Sequence, residues 1–217
     1  MNLLSFIDGR LGKLDQWYFH CHRFANRRSP AMFHRGWGNT EVLAAVNAHW
    51  RTPAPPPQME ITWETTWLES KKGVQYRRGS FPTPAYKQYL PLASARAYCH
   101  FVRPSTRSPS PGREPVVVLM PTSREIGVTK RLPLAHALAK QGITSLLLES
   151  PLMGRRKSDE QHGTTLSYFS DFLLLAAASI EEGRAALGWL SDQGYDKLGC
   201  TAALALARSL KVLPSKH

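Results

Sequence analysis

The chain has 217 residues and a formal net charge of +12, from 28 Lys and Arg against 16 Asp and Glu. That length can bury a real core, and a hydrophobic content of 42% excludes global disorder. Three scattered cysteines, Cys21, Cys99 and Cys200, with no CxxC pair, exclude a disulfide framework and a zinc site and fit a reducing compartment, cytosolic or mitochondrial.

Residues 2–24 read as an amphipathic helix, with Leu4, Ile7, Leu11, Leu14, Tyr18 and Cys21 at helical spacing. Asp8 and Asp15 count against a mitochondrial presequence, so a helix packed on its own domain is the simpler reading. His20 and His22 flank Cys21 but make no metal site. Asn39 or Thr40 caps a second helix through Trp50, with Val42, Leu43, Val46 and Trp50 as its apolar face. Four prolines between Thr52 and Gln58 mark an extended connector and the best internal boundary.

From Glu60 the pattern turns to strands. Ile61, Trp63, Thr65 and Trp67 alternate with polar residues. Lys71-Lys-Gly73 reads as a turn, Val74 to Arg78 as a short returning strand, and Phe81-Pro-Thr-Pro84 as a break. Ala93 to Val102 is another strand, with Ala95, Ala97, Cys99 and Phe101 on one face, and Arg103 to Arg113 is a basic loop. Val116 to Met120 has the β-branched, charge-free character of a buried parallel strand. A loop over Pro121 to Gly127, a helix over Val128 to Gln141, a strand over Ile143 to Leu148 and a polar loop over Glu149 to Gly163 follow. Leu166 to Ser191 is a long helix, apolar nearly all round at Phe172–Ala178, stopped by Gly194. Leu198 to Thr201 begins a strand, and Ala202 to Leu210 reads as helix. The order strand, helix, strand, helix, strand predicts an α/β fold with a mostly parallel central sheet and flanking helices.

Phe33-His-Arg-Gly-Trp-Gly38, the block Ser145-Leu-Leu-Leu-Glu-Ser-Pro-Leu-Met-Gly-Arg-Arg-Lys157, the segment Ser170-Asp-Phe172, and Trp189-Leu with Gly194-Tyr and Leu198-Gly199 resemble the eukaryotic α/β-hydrolase domain-containing protein 18 family. The resemblance runs from about Phe33 to Thr201. With the proline connector as boundary, the expected organisation is a helical N-terminal extension and connector over 1–58 and, from the resemblance, a partial α/β-hydrolase domain over 59–217. For complete relatives it implies a serine hydrolase of ester or acyl-lipid bonds, with a Gly-x-Ser-x-Gly nucleophile elbow after the strand at Leu198, activated by a later histidine and acid. In that place this chain reads Ala202-Ala-Leu-Ala-Leu-Ala207, with Leu204 where the serine would stand. Only His217 follows as a histidine, so the expectation is an incomplete fold, truncated before the elbow, with no catalytic residues of its own.

The resemblance also implies a glycine-bearing loop after the first central strand that supplies oxyanion-hole N–H groups. Here Pro121 donates no N–H and Ser123 stands where a glycine is expected, while Leu152 and Met153 replace paired tyrosines. Thr122, Ser123, Leu152, Met153 and Arg155 are therefore the candidate oxyanion-loop or pocket residues, since they follow strand ends. Three readings stand: a piece of a serine hydrolase; a non-catalytic relative that binds an ester or lipid ligand, or a protein partner across an open sheet edge at Leu198–Thr201; and, resting on charge alone, an anionic-surface or RNA-binding protein. No Gly-x-Gly-x-x-Gly or Walker A loop follows Val116–Met120, so no dinucleotide or P-loop cofactor is expected, and nucleic acid is the weakest of the partners. An uncovered apolar edge predicts low solubility or an obligate partner.

Overall fold

The computed structural model describes residues 30–51, 54–70, 73–105, 114–122 and 124–201. The helices expected over 2–24 and 202–210, most of the basic loop and Ser123 lie outside the described residues.

Twelve residues, Thr40–Arg51, form α1, whose Glu41 N–H is capped by Asn39 Oδ1 at 2.8 Å. Two short strands follow, β1 (Thr62–Trp63) and β2 (Leu68–Ser70), both antiparallel to β3 (Val74–Pro82). The sequence predicts one strand here. The chain instead leaves the ladder between Glu64 and Trp67, yet the alternation survives: Ile61, Trp63, Thr65 and Trp67 are buried or half-buried and the residues between them are exposed. β3 does not stop before Phe81 as expected. It runs to Pro82, where the missing N–H falls at the last ladder position and costs nothing. β4 (Arg96–Pro104) starts after a 3₁₀ turn over Leu92–Ser94, so the strand expected from Ala93 begins three residues later.

β5 (Val116–Leu119), α2 (Leu132–Lys140), β6 (Thr144–Leu148), α3 (Phe169–Asp192) and β7 (Leu198–Thr201) complete the order. α2 starts four residues late because Gly127–Arg131 forms turns, and Pro133 then sits in the first helical turn, where its missing N–H is harmless.

All seven strands join one sheet, in the order β1-β3-β4-β6-β5-β7 with β2 also beside β3. β5 is parallel to β6 and to β7, while the pairings from β1 to β6 are antiparallel. The α/β class stands, but the sheet is mixed rather than mostly parallel. Residues 83–95 between β3 and β4 contain only turns, and a parallel return would need a helical crossover.

The sheet is covered on both faces. One face sets Phe81, Ala97, Cys99, Phe101, Val116, Val118, Leu146 and Leu148 against Ala186 and Leu190 of α3. The other sets Val74, Val102, Leu119 and Leu147 against Val128 and the α2 residues Ala135 and Ala139. A third cluster joins Val42 and Val46 of α1 to Leu174, Ala177 and Ala178 of α3. Each fully buried Leu or Phe contributes about 1.5–3 kcal/mol through removal of apolar surface from water. No helix among the described residues is long and apolar enough to cross a membrane.

The Phe33–Gly38 block is a clasp on the start of α3. Phe33 N–H and Arg35 N–H donate to Leu166 O and Ser167 O, at 2.9 and 3.1 Å. Gly36 O and Trp37 O in turn accept the Phe169 and Ser170 N–H groups, both at 3.0 Å. Helix-start donors are thus satisfied by backbone carbonyls from a distant segment. Gly38, at φ +75°, closes the clasp. A Cβ there would fall 2.2 Å from Ser170 Oγ, so only glycine fits.

Candidate functional site

In an open α/β sheet the carboxyl ends of the parallel strands carry the site, here the loops after β5 and β6. In the first loop, Thr122 is turned inward. Its N–H and its Oγ–H both donate to Glu125 Oε2, at 3.1 and 3.0 Å. Glu125 is fully buried and its Oε2 also accepts Arg131 Nε–H at 2.7 Å. The Arg131 guanidinium goes on to the carbonyls of Leu119 and Leu148, the latter at 2.7 Å. One buried arginine therefore ties the carboxyl ends of β5 and β6 together and anchors the loop between them. Burial pulls the Arg131 pKa down, and the hydrogen bond and charge of Glu125 oppose that shift. Glu125 Oε1 has no partner among the described residues.

The second loop carries two further ion pairs. Glu149, the first residue after β6, accepts from His100 Nε2 at 2.7 Å and from both Arg155 Nε and its terminal nitrogen, at 3.0 and 2.6 Å. His100 Nδ1 meets the Tyr76 hydroxyl, and the Arg155 guanidinium lies 3.5 Å from the centroid of the Tyr98 ring. Burial would raise the Glu149 pKa, but the hydrogen bonds from His100 and Arg155 outweigh it and bring it down to about 2. Deeper in, Arg156 is fully buried. Its guanidinium donates to Glu182 of α3 at 3.0 and 2.5 Å, to Glu149 O at 2.7 Å and to Thr83 Oγ1 at 3.2 Å. The polar loop expected over Glu149 to Gly163 is in part interior: Glu149 to Met153 and Arg156 are all buried. The two loops meet where Arg124 Nε donates to Thr164 Oγ1 at 3.0 Å.

The four described sequence candidates have different surroundings. Thr122 is half-buried with its amide already engaged by Glu125, and Ser123 lies outside the described residues. Leu152 and Met153 are buried with Leu166, Leu174, Ala177 and Ala178 under α3. The Leu152 N–H is held by Ser94 Oγ at 3.1 Å. Arg155 is the most exposed of the described candidates, its side chain 41% exposed above Tyr98. Glu125, Arg131, His100, Glu149, Arg156 and Glu182 are not among the sequence candidates. A signal existed for some of them. Glu149 directly follows the apolar run Leu146–Leu148, and Glu182 sits four residues after Ala178 on an apolar helix face. Chemically the loops hold carboxylates matched to guanidiniums. The Thr122 hydroxyl is tied to one of those carboxylates, which fixes the loop after β5.

The chain is 15% identical, with a TM-score of 0.43, to a cold-adapted esterase from an Arctic intertidal metagenomic library, over 64% of this chain and 54% of that one. It is 14% identical, also with a TM-score of 0.43, to the acetyl xylan esterase of Paenibacillus sp. R4, over 75% of this chain and 49% of that one. The chain thus spans about half the length of these esterases. The family model described as alpha/beta hydrolase domain containing 18 matches residues 30–206, most of the sequence including the clasp, the crest loops (those after β5 and β6) and the segment after β7, and the chain belongs to that family.

Proposed function

We propose that this chain is a non-catalytic member of its α/β-hydrolase family. The observation that carries the reading is internal to the family match. Where a Gly-x-Ser-x-Gly elbow is expected, the sequence reads Ala202-Ala-Leu-Ala-Leu-Ala207, and the match continues to Leu206 across that place. Leu204 offers no nucleophile, and without the elbow glycines no serine can be presented on the strained turn that exposes it. The loop after β5 supports the same reading. An oxyanion needs N–H groups aimed at open space, whereas the Thr122 N–H is bonded to Glu125.

In place of catalysis, the fold would serve binding. An ester or lipid ligand at the crest would meet Thr122, Ser123 and Arg155, with Leu152 and Met153 beneath. A protein partner would add to β7, which among the described residues pairs on one side only, with β5. The test is labelling of the purified chain with a fluorophosphonate probe alongside a p-nitrophenyl ester assay. No labelling and no hydrolysis above buffer are expected. Stoichiometric labelling of a serine, abolished by its replacement with alanine, overturns the proposal.

A further inference from the structure

The far end of the sheet carries a second feature. Trp63, Trp67, Arg77 and Arg103 alternate as a stack of rings and guanidiniums. The Arg77 guanidinium carbon lies 4.0 Å from the Trp63 ring centroid and 5.7 Å from that of Trp67. The Arg103 carbon lies 3.8 Å from the same Trp67 ring. Each guanidinium is fixed in its plane through Nε: Arg77 donates to Thr65 O at 3.2 Å and Arg103 to Gln75 Oε1 at 2.9 Å. Neither pairs with a carboxylate among the residues whose side chains are described. Burial first, and then the charge of Arg103, hold the Arg77 pKa below its ordinary value. Two cations thus share one indole, that of Trp67.

The register concentrates charge at this corner. Gln75 pairs with Arg103 and Val74 with Pro104, and Ser105 N–H donates to Gly73 O at 3.0 Å. Gly73 and the chain leaving β4 therefore meet here, and the sequence has Lys71 and Lys72 just before that glycine. From Arg103 to Arg113 the sequence has three arginines and no acid. The acids nearest in the chain are Glu69, opposite Gln75 in β2, and the buried Glu114. This corner lies at the amino end of β6, since Val102 pairs with Ser145, and so at the opposite end of the strands from the crest loops.

We infer that Arg77 and Arg103, held by Trp63 and Trp67, form a binding site for a phosphate group, carried by a soluble phosphoester or by a lipid headgroup. A guanidinium fork matches two phosphate oxygens at once. Stacking on indole pre-orients the fork, so little side-chain freedom is lost on binding. The surrounding charge draws the anion in.

The experiment measures binding of inorganic tripolyphosphate by quenching of tryptophan fluorescence. In parallel, co-flotation is followed with vesicles of phosphatidylcholine alone or mixed with phosphatidic acid. Arg77→Gln and Arg103→Gln should each weaken binding about tenfold, the loss expected for one bidentate contact. Arg77→Lys and Arg103→Lys keep the charge, lose the fork and should weaken it less. Arg78→Gln, which removes an equal charge from the next position of β3, on the other face of the sheet, should change nothing. Saturable tripolyphosphate binding assigns the site to soluble phosphoesters, and binding only to phosphatidic acid vesicles assigns it to lipid headgroups. No binding in either assay, or an Arg78→Gln loss equal to that of Arg77→Gln, overturns the inference. Thermal melts of every variant separate lost binding from lost folding.

Discussion

Removing the Glu182 carboxylate should cost this fold a large part of its stability. Arg156 and Glu182 are among the largest fully buried side chains, and two of the guanidinium hydrogen bonds end on Glu182. In Glu182→Ala the cation keeps Glu149 O and Thr83 Oγ1 as acceptors but loses its counter-charge. Breaking a buried pair from one side costs about 3–5 kcal/mol, because a charge is left without compensation. A domain of this size has roughly 5–15 kcal/mol in total. Urea denaturation followed by tryptophan fluorescence reads the loss as a lower midpoint at unchanged slope. The same reasoning requires that Arg156→Met combined with Glu182→Leu recover most of the loss, since no charge then remains to be solvated. A single variant within about 0.5 kcal/mol of wild type, or a double variant worse than the single, would refute the argument from the uncompensated charge.

Two further outcomes are expected. Glu149 is held down to about 2 in the folded state against an ordinary value of 4.5, so its contribution is complete above about pH 4.5 and is lost as pH falls toward 2. Because its partner Arg155 is 41% exposed, the effect is discounted for solvent screening to about 2 kcal/mol. Glu149→Gln should flatten the acid limb of a stability–pH curve by that amount, and an unchanged limb would sink the assignment. Gly38→Ala should cost about 3 kcal/mol, from a positive φ plus the clash with Ser170 Oγ, whereas Gly36→Ala, at φ +85° in open space, should cost about 1 kcal/mol. Equal losses in urea melts would show that the clasp is not tight.

What could be read from the sequence was what repeats along it. The alternation at Ile61–Trp67, the apolar run at Val116–Val118 and the long periodic face of α3 all found their places, because burial of a regular element imposes its own period on the chain. Sheet direction was less legible. β3 and β4 carry no mark that distinguishes an antiparallel neighbour from a parallel one, and only the shortness of the Thr83–Ala95 connection could have told them apart. The polar interior was hidden for a different reason. Arg131 and Arg156 look like surface charges until their partners, six and 26 residues away, are brought beside them. The Arg-Gly-Trp-Gly block was legible as a family mark but not as a clasp, since its partners lie beyond Leu166.

The clasp has a consequence for the order in which the protein can be made. Its hydrogen bonds join Phe33–Asn39 to Leu166–Ser170, and the Asn39 N–H to Ser170 Oγ contact spans 131 residues of chain. During synthesis at about 5–20 residues per second, the first half of the clasp waits on the order of 10 seconds for its second half to appear. For that interval Trp37 and Phe33 have no Phe169 ring to meet, and α1 has no α3 to cover Val42 and Val46. The amino-terminal part of the fold is therefore a late-folding part despite being made first, and it is the segment a nascent-chain chaperone would hold longest.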